Sequence, residues 1–175
     1  MKKEQIGNAM LFPITGNWYA VKDGNPIALE LYERHYSCYK YADGRVRKLF
    51  CGPGYKIVLL TANNDALFIW RKFIDDSGQQ GVNCAVFRNE SKIQSSLLIK
   101  EAVTICRKRW PQERLYTYVN AKKIKSTNPG YCFKAAGWKE CGKTKGGLII
   151  LELLNEPANR HGDLFSEATG NGKSA

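Results

Sequence analysis

At 175 residues, with 43% hydrophobic and 25% charged residues, the chain has an ordinary globular composition and the length of one domain. Its 27 Lys and Arg against 16 Asp and Glu give a net charge of +11. An excess of that size favours polyanionic partners, because cationic contacts to phosphate release condensed counterions. No run of about 18 apolar residues is present to span a membrane, and no apolar stretch of signal-peptide length follows Met1-Lys2-Lys3-Glu4-Gln5. The chain is therefore expected in the cytoplasm.

The cysteines at 38, 51, 84, 106, 132 and 141 include no C-x-x-C pair, so zinc-ribbon spacing is absent. They read as reduced thiols serving mainly as small core hydrophobes.

Residues 26–39 read as a helix, with Pro26 in the first turn and Ile27, Leu31 and then Arg34 or His35 at helical spacing. Six basic residues against the single acid Asp43 follow between Arg34 and Lys56, with Gly44, Gly52, Pro53 and Gly54 punctuating the loop. Two apolar runs, 56–62 and 66–73, flank Asn63-Asn64-Asp65 and predict a hairpin; 81–88 is a third strand. Ser91-Lys92-Ile93-Gln94 has capping-box form and predicts a helix over 91–109 that stops before Pro111. Its apolar side carries Leu98, Ile99, Ala102, Ile105 and Cys106.

Residues 114–120 alternate as a strand, with Tyr116 and Tyr118 on one face and Thr117 on the other. Asn128-Pro129 predicts a short helix with Asn as cap, ended by Gly137. A hydrophobic strand closes the fold over 146–154. Residues 1–154 thus form a single α/β domain, a mixed α+β sheet with helices on both faces. Residues 155–175 form a polar tail too poor in apolar side chains to pack.

From Gly81 onward this order resembles the GNAT acyltransferase fold: a strand, a loop into a long helix, a strand ending at Asn120, and a short helix ending Ala136-Gly137-Trp138. A basic run (Lys139, Lys143, Lys145) leading into a strand is similar to the family as well. The segment Glu33-Arg34-His35-Tyr36-Ser37 resembles an early His-Tyr pair in the phage Mom-type DNA modification proteins, a divergent GNAT-like group. Membership would imply an acyl donor such as acetyl-CoA, DNA as partner, and the bacterial host cytoplasm as location.

The sequence departs from the family at two positions. The pyrophosphate turn reads Arg88-Asn89-Glu90-Ser91-Lys92-Ile93, with serine and isoleucine at small-residue positions. The tyrosine that often serves as general acid, four residues before the terminal glycine, is Phe133.

Candidate catalytic residues are His35, Tyr36, Ser37 and Tyr131, which offer a base, two phenols and a hydroxyl. Arg88, Ser91, Ser95, Ser96 and Asn120 are candidates for holding the donor. Arg34, Lys48, Arg107, Lys108, Lys122, Lys123 and Lys125 are candidates for nucleic acid, with Trp110 or Tyr131 for base stacking. One histidine with tyrosine or aspartate neighbours is too thin a ligand set to argue a metal from. Three functions follow: a transferase acting on an adenine-type amine in DNA, an acetyl-CoA-dependent acetyltransferase of a protein or small amine, and a non-catalytic nucleic-acid-binding module.

Overall fold

The computed structural model describes residues 12–45, 48–74 and 78–155. His161 and the rest of the expected tail beyond Asn155 lie outside them. The elements are β1 (Phe12–Thr15), β2 (Trp18–Val21), α1 (Pro26–Glu33), β3 (Tyr55–Thr61), β4 (Ala66–Lys72), β5 (Val82–Asn89), α2 (Ser95–Arg109), β6 (Leu115–Val119), α3 (Tyr131–Ala135), β7 (Lys139–Lys143) and β8 (Ile149–Leu153), with a 3-10 turn over Ala121–Lys123. The strands form one eight-stranded sheet in the order β1-β2-β3-β4-β5-β6-β8-β7. Every neighbouring pair is antiparallel except β5 and β6, which run parallel and are joined by the α2 crossover.

Two clusters of apolar side chains cover the two faces. On one, α2 and α3 pack Leu98, Ile99, Ala102 and Phe133 against Trp18, Phe68, Trp70, Val82 and Cys84. On the other, α1 packs Ala28, Leu31 and Tyr32 against Val58, Leu60, Ile69 and Val86. The indoles of Trp18 and Trp70 donate to the Leu98 and Ala102 carbonyls, each at 2.9 Å, and so fix α2 over the sheet.

The predicted hairpin forms over β3 and β4, with Asn64 in left-handed conformation (φ 59°) at its turn. The β1–β2 hairpin was not legible as strands; it is held to α2 by Asn17, whose backbone and side-chain N–H groups donate to Glu101.

Three helix boundaries differ from expectation. The first helix ends at Glu33, because the His35 N–H turns back to the Tyr32 carbonyl, so Arg34 to Ser37 lie in a turn and not on a helix. The long helix begins at Ser95, not Ser91. Ser91 instead bonds the Asn89 amide oxygen through both N–H and hydroxyl, so no capping box forms. The short helix begins at Tyr131 with Gly130 (φ 77°) before it; the Asn128 side chain accepts from Lys134 rather than capping. Its end is as expected: Gly137 is left-handed (φ 96°), and the Trp138 N–H reaches back to the Phe133 carbonyl.

All six cysteines are free thiols. Cys51, Cys84 and Cys106 are buried as expected, whereas Cys141 is exposed and Cys38 and Cys132 are half-buried.

Candidate active site

The site arises from a parting of strands. β5 and β6 are in register only from Val82 to Cys84 against Leu115 to Thr117. They are pinned at that end by Val82 N–H to the Arg114 carbonyl (2.8 Å) and by the Thr117 hydroxyl to the Cys84 carbonyl (2.9 Å). Beyond Cys84 no β6 residue pairs with β5. The change coincides with a bulge: Ile69 faces Val86 and Trp70 faces Cys84, which leaves Ala85 as the extra residue. A bulge adds twist and turns backbone polar groups out of the ladder, so the two strands diverge there.

The resulting cavity has a volume of about 550 Å³. Its walls come from β5 (Asn83 to Phe87), β6 and its extension (Thr117 to Asn120), the 124–133 segment, and the turn His35-Tyr36-Ser37. His35 could have lain on the far side of the sheet. It lies at the opening instead.

The turn is fixed at several points. The His35 Nδ1 accepts the Ser37 N–H at 3.2 Å and lies 2.7 Å from the Ser37 hydroxyl. A backbone N–H is an obligate donor, so Nδ1 is the unprotonated nitrogen and the hydroxyl donates to it as well. The ring also bonds the Phe87 backbone, as Nε2–H to carbonyl. Burial first, then the positive Arg88, lowers the His35 pKa to about 4, so the ring is neutral at pH 7. Tyr36 lies against it, with ring centroids 4.4 Å apart. Its phenol bonds the Asn120 backbone across the opening, and burial raises its pKa, so it keeps its proton.

The flanks of the turn form an ionic clamp. Arg34 pairs bidentately with Glu90 (2.8 and 2.9 Å), and Arg88 pairs with the same carboxylate (2.5 Å) while donating to the Arg34 carbonyl. The bond from Arg34, helped by Arg88, holds the Glu90 carboxyl down at about 2.

The other sequence-predicted residues divide by position. Tyr131, 64% exposed, lies on the rim of the cavity. Asn120 also lines it, although its side-chain oxygen already accepts the Lys122 N–H. Lys122 and Lys123 belong to the exposed turn directly after Asn120, and Lys125 is half-buried beyond it. Ser91, Ser95 and Ser96 surround the start of α2 and do not line the cavity. There Asn89 donates to the Ser95 hydroxyl and the Ile93 carbonyl.

Three expectations for nucleic acid fail on position. Arg107 is committed to the carbonyls of Pro111, Glu113 and Leu153 at the α2–β6 connection. Lys108 borders a different depression with Lys22, Asp23, Lys56 and Arg109. Because α2 runs back between two parallel strands, its C-terminus lies at the opposite end of the sheet from the cavity. Lys48 lies beside Gly24, before α1, and not near His35 after it. Trp110 packs against the α2-side core, which removes it as a stacking platform.

Asn83 is a lining residue that sequence reasoning missed. It sits in an otherwise apolar strand, and a polar residue in such a run was the available signal. No group of three or more potential metal-ligating side chains occurs among the described residues. The chain matches no known protein family, no curated protein and no solved structure.

Proposed function

We propose that the chain is a GNAT-like transferase that modifies the exocyclic amine of a nucleobase in DNA. The strand order supports the fold reading: an antiparallel set leading to one parallel, splayed pair bridged by a helix, with a bulge where the pair opens. The observation that carries the functional reading is the character of the cavity wall. It gathers a neutral histidine, three tyrosines and several amides and hydroxyls, with no Asp, Glu, Lys or Arg among its described lining residues.

That wall separates the candidate acceptors. An aliphatic amine with a pKa near about 10.4 arrives as an ammonium ion and needs a carboxylate or a strong base to shed its proton. Neither lines this cavity. An exocyclic base amine is neutral, planar at its ring and weakly basic, which suits an uncharged pocket with aromatic walls. Reaching it in a duplex requires the base to swing out of the stack. Tyr131 at the rim offers a stacking face, and the exposed Lys122 and Lys123 beside the mouth suit phosphates.

The chain's own groups are suited to moving protons. Tyr36 holds its proton on a phenol that accepts the Asn120 N–H, which leaves its O–H to donate into the cavity. It can thereby supply the acid that Phe133 cannot. The Ser37 hydroxyl can take a proton from the acceptor while passing its own to His35 Nδ1. An acyl donor would contribute an activated carbonyl carbon. Its phosphates would fit the first turn of α2, where no side chain caps the helix and no acid lies within the turn. Arg88, spent on Glu90, is not free for it.

A second reading, a binding module without catalysis, draws on the same Glu90 clamp across the phosphate turn and on Phe133. Parallel mass spectrometry of DNA nucleosides and of tryptic peptides from expressing cells separates the readings. A mass-shifted nucleoside with unmodified lysines is expected. Acylated lysines and unmodified nucleosides would transfer the reading to protein substrates, and neither product would leave the module.

A further inference from the structure

Asn83 contributes a side chain to the cavity that the fold does not use. It is 5% exposed, and its Oδ1 is fully buried and accepts no hydrogen bond among the described residues. Val82 and Cys84 on either side belong to the α2-side core, so alternation turns Asn83 to the α1 face. His35 reaches the same cavity from that face. Leaving a buried carbonyl oxygen unpaired is unfavourable by about 1–3 kcal/mol, so an apolar residue would serve a purely structural position better.

The remaining lining defines what could pair with it. Tyr118, on the same face of β6, and Tyr36, from the turn, present flat rings to the cavity. A ligand held against these rings, with an N–H directed at Oδ1, is a planar, uncharged group bearing an amino substituent. We propose that Asn83 is the floor of the acceptor subsite, its Oδ1 accepting one N–H of a nucleobase exocyclic amine. This rests on the transferase reading above and extends it to a specific positioning residue. Of the two amine hydrogens one is held by Asn83, and the other is left for removal at the Ser37–His35 pair.

A structural rival exists on the neighbouring strand. Arg71, the antiparallel partner of Asn83, has a buried Nε also lacking a partner among the described residues. A single water could bridge this donor and the Asn83 acceptor. In that case Asn83 would stabilise the fold and have no part in recognition.

Binding of single-stranded oligothymidylates by full-length protein discriminates these. Each strand carries one adenine, cytosine or guanine, or the same base without its exocyclic amine (purine, 2-pyrimidinone or hypoxanthine). Wild type should bind at least one amino base about tenfold more tightly than its amine-free counterpart, the effect of one hydrogen bond to a buried acceptor. Asn83→Val should erase that ratio without lowering the melting temperature, and Asn83→Thr, with a hydroxyl acceptor, should restore part of it. An unchanged ratio in Asn83→Val overturns the proposal, and a lowered melting temperature with that ratio intact identifies the water bridge. Equal binding of each base and its counterpart by wild type overturns the Asn83 assignment but leaves the transferase reading standing. No binding of any strand overturns both.

Discussion

Tyr36 and His35 illustrate how position changes the chemistry of a residue type. A tyrosine in water keeps its proton to about pH 10; here burial raises that value further, while the Asn120 N–H occupies a lone pair on the oxygen and leaves the O–H available. Tyr36→Phe should therefore lower turnover by about 10²–10⁴-fold, the range for loss of a positioned acid, with little change in melting temperature. His35 shifts downward, from 6.5 unfolded to about 4 folded. The unfolded chain then binds more protons between those values, so the contribution of His35 is fully present above pH 6.5 and is lost as pH falls toward 4. Allowing for its partial exposure, this loss amounts to about 2 kcal/mol. Urea unfolding of His35→Gln should show a flatter dependence on pH between 4.5 and 6.5 than wild type.

The clamp on Glu90 works through geometry more than stability. Exposed ion pairs contribute about 0–1 kcal/mol, and both arginines retain solvent contact. Their effect is to join the His35 turn to the end of β5. Glu90→Gln should leave the melting temperature within a few degrees while raising protease sensitivity at Lys40. An unchanged digestion pattern would show that the turn is held by the His35–Phe87 contact alone.

Among the elements, β5 and β6 decide whether the cavity exists. Gly81 adopts φ 117°, and a Cβ there would meet the Arg114 carbonyl oxygen at 2.2 Å. Gly81→Ala must push the strands apart at the end where they should be pinned. It should destabilise the fold by about 2–4 kcal/mol, from backbone strain plus loss of the adjoining hydrogen bond, as read by urea denaturation. Trp70→Phe tests the other side of the same frame. Losing the indole bond to Ala102 and part of a fully buried ring should lower stability by about 2–3 kcal/mol.

The legibility of these elements follows from where their determinants lie. Strands β3 to β5 are buried, β-branched and aromatic, so composition alone located them. Strands β1 and β2 have four residues each around Gly16-Asn17, too few for a period to register. Strand β7, exposed throughout and rich in Lys and Gly, read only as a basic run leading into a strand. The helix ends were misjudged because Ser91 and Arg34 fit helical patterns locally, while Asn89 and the Tyr32 carbonyl claimed their neighbours instead. His35, Tyr36 and Ser37 could be singled out as chemically apt; that they meet β6 across a parted sheet depends on contacts more than 80 residues apart. Asn83 shows the converse case, a residue whose meaning appears only once its unpaired oxygen is seen.

At the scale of the molecule, the charge of +11 does not fall where sequence clustering suggested. Arg107 supports the backbone, and Lys108 and Lys48 lie away from the cavity. The cations beside the mouth are Lys122 and Lys123. A double Lys122→Ala, Lys123→Ala substitution should weaken DNA binding and reduce the salt slope by about 1–2, whereas Lys48→Ala should leave the slope unchanged.

The central claim is that the opening between β5 and β6 is a place where bonds are made. The most direct test is the intact mass of nucleosides from the DNA of cells expressing wild type or Tyr36→Phe at matched levels. The account predicts a mass-shifted base with the first and its near-complete loss with the second. An identical shift with both would place the chemistry away from this opening, and unshifted nucleosides from a well-expressed wild type would contradict the account.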